Sequence, residues 1–300
     1  MIRAGTRNSR LAHWQTNHVL NGLKRQDASL VVKSIAFETK GDRLLDTPLP
    51  AIGGKGLFTA ELERGLLEKR IDIAVHSLKD LPTEHESGLT IGAILSRADV
   101  RDALVSQDGI SLHNLPAGAV VGTSSNRRAA QVRRMNPGLE IQPIRGNVET
   151  RVRKVREGDF SATVLAVAGL ARLDMIDDIS QYFSFDQILP APGQGALAVQ
   201  CRADDERTLL ALRALDEANV RAAVTSERSF LARLEAGCSS PVGAFATVSD
   251  GVVHLRGLVA ALDGSRVVEV KASGSDAESL GNTLAEQALE LGAAELMSSE

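Results

Sequence analysis

Residues 71–82 read Ile71-Asp72-Ile73-Ala74-Val75-His76-Ser77-Leu78-Lys79-Asp80-Leu81-Pro82. The apolar positions 71 and 73–75 have the pattern of a short buried strand. The chain turns polar directly after them, with His76, Ser77, Lys79 and Asp80, and Pro82 closes the polar segment. A buried strand that delivers a cation and a carboxylate at its carboxyl end is where open α/β sheets bind ligands. On this stretch alone, Lys79 and Asp80 read equally well as solvated loop charges.

The flanks repeat the rhythm. A strand is expected at 2–6, a helix capped by Ser9 and running to Arg25, a strand at 30–37, a helix at 57–69 and a strand at 89–95. A second unit begins near Asp99-Val100-Arg101-Asp102. Its expected strands are 119–121, 139–144 and the start of 162–170; one helix follows the turn GTSSNRR (122–128) and runs to about Arg134, and another spans 148–157. Such alternation predicts α/β lobes with mixed, mainly parallel sheets. Residues 189–199, rich in Pro and Gly, read as a crossing or hinge between lobes, followed by helices at 204–215 and 218–236. Beyond Cys238 the pattern changes to antiparallel strands at 243–248, 252–261 and 266–272, with turns at Ser249-Asp250-Gly251 and Asp263-Gly264. A helix from Asp276 to Leu291 is expected to close the chain. The expected division is 1–96 with 196–215, then 97–195, then a C-terminal α+β domain at 216–300 with a three-stranded antiparallel sheet.

Composition narrows the function. The 300 residues suffice for two or three domains, and 43% hydrophobic content suffices for their cores. A net charge of −4 and 3% aromatic residues argue against a nucleic-acid binder, which needs a basic face and stacking platforms. No apolar run approaches the ~20 residues of a membrane span. Two cysteines, no metal-ligand spacing and no apolar leader fit a reducing cytoplasm, with no metal expected. Charge is unevenly spread: residues 122–156 hold eight Arg and Lys154 against Glu140 and Glu149, a local +7. Arginine suits two-pronged capture of carboxylate or phosphate, so an anionic small molecule is the expected partner.

Three turns share one grammar, an apolar strand followed by Ser, Thr or Gly and then Arg: 6–9, 122–128 and 145–151. Each can offer backbone N–H groups, hydroxyls and guanidinium groups to an anion; each can also be an ordinary helix cap with a solvated Arg. Gly53-Gly54-Lys55-Gly56 has the wrong spacing for a P-loop. It reads either as a plain flexible loop or as a mobile segment that carries Lys55 over a cleft. Cys201 reads as core filler. Cys238, in a Gly- and Pro-flanked loop, is open to attachment, although alone it reads better as a chance surface thiol.

Taken together, GTRNSRLAHWQ (5–15), DTPL (46–49), GGKGLF (53–58), DIAVHSLKDLP (72–82), VGTSSNRR (121–128), RGNVETR (145–151), LAVAGLAR (165–172), PGQGALAVQCR (192–202) and LEAGCSSPVG (234–243) resemble the porphobilinogen deaminase family of tetrapyrrole biosynthesis, in the family's order. The resemblance covers nearly the whole chain. It implies two lobes like those of periplasmic binding proteins around an active cleft. It also implies a third domain whose Cys238 holds a dipyrromethane cofactor by a thioether. The implied activity is a transferase that joins four porphobilinogen molecules to that primer with loss of ammonia; water then releases hydroxymethylbilane. Asp80 is implied as the catalytic carboxylate, stabilising the cation left when ammonia departs. Implied cofactor contacts are Ser77, Lys79, Asp80, Thr123, Ser125, Arg127, Arg128, Arg145 and Gly146. Implied substrate contacts are Arg7, Ser9, Lys55, Arg145, Arg151, Arg172 and Gln194, with Phe58 near the cofactor. A cytoplasmic monomer is expected, without nucleic-acid or membrane partners. Asn126 stands where the family commonly has Leu, leaving its packing open. The competing reading is a non-catalytic two-lobed anion-binding protein, which needs neither Asp80 nor Cys238.

Overall fold

The strand expected at 71–75 forms two residues later, reaching into the polar segment. The computed structural model describes residues 1–43, 56–84, 86–237 and 240–298. In chain order, β1 (Ile2–Arg7) leads to α1 (Arg10–Gln26), β2 (Val32–Phe37), α2 (Lys40–Arg43), α3 (Ala60–Leu67), β3 (Ile73–Ser77) and β4 (Leu89–Ile94). Next come β5 (Asp102–Ser106), β6 (Val120–Gly122), α4 (Asn126–Met135), β7 (Glu140–Gln142), α5 (Val148–Arg156), β8 (Ala162–Ala166), α6 (Val167–Ala171) and β9 (Gln181–Tyr182). The chain continues as β10 (Leu197–Arg202), α7 (Glu206–Arg213), α8 (Ala218–Arg233), β11 (Val242–Ser249), β12 (Val252–Ala260), β13 (Val267–Gly274), α9 (Ala277–Glu290) and α10 (Ala293–Ser298).

Three sheets result, ordered β2-β1-β3-β10-β4, β7-β6-β8-β5-β9 and β11-β12-β13. The two five-stranded sheets share one plan. Three strands pair in parallel, and the fourth runs antiparallel to both its neighbours. Four of the five strands in each sheet thus run the same way, as a β-α-β rhythm predicts, although the single reversed strand makes parallel and antiparallel pairings equal in number. The cause is the chain's route: each crossing between lobes delivers one reversed strand, β5 on the way out and β10 on the way back. The sequence reading assigns no strand to 102–106 or 181–182, and takes 197–199 as crossing. All six residues of β10 are buried, so its sequence carries no alternation to announce it.

Each sheet has its own core. Ile2, Val19, Leu23, Ile73 and Val199 fill one face of the first sheet, and Leu62 and Leu66 of α3 fill the other with Ile71. The second sheet is covered on both faces, by Val121, Val132 and Val164 and by Val105, Val152 and Leu170. The third packs one face against Phe230, Leu284 and Ala288. Full burial of one such side chain stabilises by about 1.5–3 kcal/mol. Its last helix is not the one expected to close the chain: Gly292, at φ +90°, ends α9, and the short α10 comes after it.

The two crossings run side by side. The Leu95 N–H donates to the Leu197 carbonyl at 3.1 Å, and the Ala98 N–H to the Gly195 carbonyl at 3.2 Å. Gly195 has φ +86°, and a Cβ there would lie 2.7 Å from the Ala98 carbonyl oxygen, so only glycine fits. α8 braces this pair. Its Val220 and Val224 pack with Leu78, Leu81 and Ile94 of the first lobe, while Ala223 and Phe230 face the third sheet.

Candidate active site

In a sheet of this kind the carboxyl edges of the parallel strands collect the strand-to-helix turns. β1 ends at Arg7, β3 at Ser77, β6 at Gly122 and β7 at Gln142. The three sequence-predicted turns all lie there and all cap helices. Ser9 Oγ accepts from the Ala12 N–H at 3.2 Å, Ser125 Oγ from the Arg128 N–H at 3.4 Å, and Asn147 Oδ1 from the Thr150 N–H at 2.8 Å. Capping uses the hydroxyl oxygen as acceptor and leaves the hydroxyl proton to be donated. Thr123 Oγ1 accepts from the Ser125 N–H at 3.2 Å. Ser77 Oγ accepts from Gln15 Nε2 at 2.8 Å. Asn126 is the half-buried first residue of α4, a position where a polar side chain is at no disadvantage.

An antiparallel strand starts where its parallel neighbours end. Asp102, the first residue of β5, pairs with Ala166 at the end of β8, and this places a fully buried carboxylate on the functional edge. It accepts from Arg127 Nη1 at 2.6 Å and from Arg128 Nη2 and Nε at 2.7 and 3.1 Å. Arg127 also donates to the Leu189 carbonyl, and Arg128 to the Val164 carbonyl. Burial acts to raise the Asp102 carboxyl, and the two guanidinium groups more than reverse this, so it stays ionised. The sequence led to an expectation of open guanidinium forks at 127 and 128. Instead they are 3% and 6% exposed and turned toward Asp102, because two buried cations need a counter-charge. Arg127 Nε is buried without a partner among the described residues.

Gln194, in the returning crossing, ties the lobes to this carboxylate. Its Nε2 donates to Asp102 Oδ1 at 3.0 Å and to the Val100 carbonyl at 2.7 Å. Its Oε1 accepts from Lys79 Nζ at 3.2 Å. Burial, reinforced by the positive charge of Arg128, pushes Lys79 down to about 8, with Asp80 and Asp102 pulling the other way. Asp80 itself is exposed, at the end of a one-turn helix Leu78–Asp80. Its charge reaches Arg151 in the other lobe. Burial, Arg128 and Arg145 together bring Arg151 down to about 10, and Asp80 opposes them.

Arg151 Nε donates to the Gly146 carbonyl at 2.9 Å. Gly146 has φ +111°, and a Cβ there would lie 2.6 Å from the Thr150 side chain, so a larger residue would dislodge this support. Lys79, Asp80, Arg127, Arg128, Arg145, Arg151, Gly146 and Gln194 thus form one neighbourhood. Arg7 lies over the ring of Phe58, 4.3 Å from the ring centre. Arg172 donates to the Gly195 carbonyl at 2.7 Å and lies over Trp14. Cys201 is a core residue of the first lobe, as its setting in ALAVQC suggests, and burial raises its thiol to about 11. Lys55 and Cys238 lie outside the described residues.

The sequence reading missed Asp102, Arg97, Glu227 and Arg228. Asp102 has a faint signal, a carboxylate heading the apolar run Ala103-Leu104-Val105. The others, far apart in sequence, have none. Glu227 is fully buried and accepts from Arg97 Nη1 and Nη2 and from the backbone N–H groups of Gly193 and Ala246.

Chemically, the cluster is a desolvated cationic floor with an exposed carboxylate at its edge. It suits an oligomer bearing acidic side chains and fits a dipyrromethane group in particular. Half-buried Lys79 and Arg151 and buried Arg128 supply the charge, and the unpartnered Arg127 Nε–H shows donor capacity left over.

Comparison with known proteins agrees. Residues 2–210 match the family model described as porphobilinogen deaminase, dipyromethane cofactor binding domain, and residues 221–290 match porphobilinogen deaminase, C-terminal domain. The porphobilinogen deaminase of Brevibacillus brevis is 48% identical over 296 residues, covering 98% of this chain and 96% of that protein. Among solved structures, a nutrient binding protein from Burkholderia cenocepacia bound to methionine aligns over 73% of this chain and 92% of its own, at 15% identity and TM-score 0.46. An ancestral arginine-binding protein bound to arginine aligns over 71% and 90%, at 16% identity and TM-score 0.40. With both family models spanning its length and nearly half its residues shared with a full-length relative, the chain belongs to the porphobilinogen deaminase family.

Proposed function

We propose that this chain joins four porphobilinogen molecules head to tail, with loss of ammonia, on a dipyrromethane primer held by Cys238. Water then releases hydroxymethylbilane. The observation that carries this reading is Asp80 beside the cationic cluster, on a turn braced from two sides.

Asp80 is the catalytic carboxylate. When ammonia leaves an aminomethylpyrrole, positive charge spreads over the ring toward its N–H. A fixed carboxylate there lowers the energy of that charge and can pass a proton to the departing amine. Lys79, Arg145 and Arg151 hold the acetate and propionate groups, while Arg127 and Arg128, anchored on Asp102, set the positive potential beneath them. Ser77, Thr123, Ser125 and Gly146 line the cofactor's place. Arg7, Ser9, Lys55 and Arg172 serve incoming substrate, while Gln194, expected among them, is fully buried and committed to Val100, Asp102 and Lys79, and so positions Lys79 instead. When attached, the dipyrromethane supplies the ring on which the chain is built.

Division into 1–96 with 196–215, 97–195 and 216–300 is supported by the three separate sheets and their cores. No helix among the described residues is long and apolar enough to cross a membrane. A cytoplasmic monomer is part of the proposal.

The test is Asp80→Asn, which keeps the shape and removes the charge. Turnover of porphobilinogen should fall by at least about 100-fold, with fold and intact mass, cofactor included, unchanged. Near-normal turnover would remove Asp80 from the mechanism. A bare-chain mass from a host that makes porphobilinogen would count against attachment at Cys238.

A further inference from the structure

We infer that Arg228 is a positioning residue for the reaction: carried on α8, its guanidinium fixes the backbone of the turn that presents Asp80. The inference rests on the reading of Asp80 as the catalytic carboxylate.

One face of α8 carries Val220, Val224 and Arg228, spaced four residues apart and so stacked along the helix. The two valines pack with Leu78 and Leu81, the residues on either side of Lys79-Asp80. Arg228 completes the stripe with hydrogen bonds. Nη1 donates to the Leu81 carbonyl at 2.9 Å and Nη2 to the Pro82 carbonyl at 2.6 Å, and Nη1 also approaches the Leu78 carbonyl at 3.5 Å.

The turn needs this support. It is a single 3₁₀ turn closed by one bond, from the Leu81 N–H to the Leu78 carbonyl at 3.1 Å. One turn of helix does not hold itself, since the cost of fixing its dihedrals is set against a single hydrogen bond. Pro82, with no N–H, cannot extend it. From the other side the returning crossing holds it, through the Leu78 N–H to the Ala196 carbonyl and Lys79 to Gln194. Asp80 thus stands on a turn clamped between the crossing and α8. The planar fork of arginine spans two successive carbonyls, which the point charge of lysine cannot do in the same way.

α8 also leads directly into the segment that contains Cys238. The helix that grips the Asp80 turn is the helix that carries the attachment segment. Arg228 therefore acts on the turn that presents Asp80. It touches no substrate, so its loss alters the alignment of the reacting groups and leaves affinity unchanged.

The experiment compares Arg228→Met, Arg228→Lys and Asp80→Asn with the wild-type holoenzyme, using porphobilinogen as substrate, with intact mass and thermal unfolding on each. Misplacing a catalytic group by about 1 Å costs up to about 100-fold in rate. Arg228→Met is expected to lose about 10- to 100-fold in kcat with KM unchanged and the cofactor mass present; Arg228→Lys should fall in between. A wild-type kcat in a folded Arg228→Met, or a kcat that drops only with the unfolded fraction, overturns the inference. If Arg228→Met does not fold, Arg228→Lys decides: wild-type stability with wild-type kcat overturns it, and wild-type stability with reduced kcat and unchanged KM supports it. Activity in Asp80→Asn would instead defeat the reading of Asp80, a separate failure.

Discussion

Arg97 and Glu227 form a two-pronged ion pair, Nη1 to Oε1 at 2.7 Å and Nη2 to Oε2 at 2.9 Å, where all three sheets meet. Arg97 lies in the outgoing crossing. The Glu227 carboxylate also accepts from Gly193 in the returning crossing and from Ala246 in β11, each at 2.7 Å. One buried carboxylate therefore joins both crossings to the third domain. Removing a single partner of such a pair strands the other charge, at about 3–5 kcal/mol. Glu227→Gln should lose that much in urea unfolding at pH 7. A loss below about 1 kcal/mol would show that the junction is held by something else.

Arg127 and Arg145 separate two roles that the sequence had merged. The Arg127 donors go to Asp102 and Leu189. Arg127→Lys should therefore cost about 1–3 kcal/mol of stability with little change in KM. Arg145→Lys should raise KM for porphobilinogen with little change in stability. The opposite pattern in urea unfolding and steady-state kinetics would reverse the assignment.

Lys79, brought down to about 8 by burial, carries its charge below that pH and loses it above. Binding of acidic side chains should weaken as pH rises through 8, more than two units before an ordinary lysine titrates. KM measured from pH 7 to 9.5 should climb in the wild type and stay flatter in Lys79→Arg. A flat wild-type profile would sink the prediction.

His76 is buried, and burial pushes it down to about 4. Its Nε2 faces Gln200 Oε1 at 3.1 Å, and Gln200 Nε2 donates to Glu63 at 3.1 Å, so His76 holds its proton on Nε2. The unfolded chain takes up a second proton near pH 6.5 and the folded chain does not. Stability from this group is complete above pH 6.5 and is lost as pH falls toward 4. At 1.36 kcal/mol per unit, the loss is about 3 kcal/mol. His76→Gln should flatten the decline in urea-unfolding free energy between pH 7 and 4.5. Parallel declines in the two proteins would rule it out.

Much of this was legible in the sequence because it is local. Ser9 announces its helix by capping it, and Asp250-Gly251 and Asp263-Gly264 announce their hairpin turns. The arginine cluster and the polar turn after β3 were also visible. Pairings across the chain were not. Asp102 neutralises arginines 25 and 26 residues away, so the local +7 overstated the charge available to a ligand. Glu227 and Arg228 act on segments about 20 to 150 residues distant, and β10 is buried on both faces, so no periodicity marks it.

The place of β10 bears on biosynthesis. β3 and β4 do not pair with each other; each pairs with β10, which enters between them only after the second lobe has been made. On the ribosome, the first 96 residues emerge with a gap between β3 and the edge strand β4 and two unpaired strand edges facing it. The second lobe has all five of its strands by Tyr182, so the order of completion during translation is the reverse of the order of synthesis.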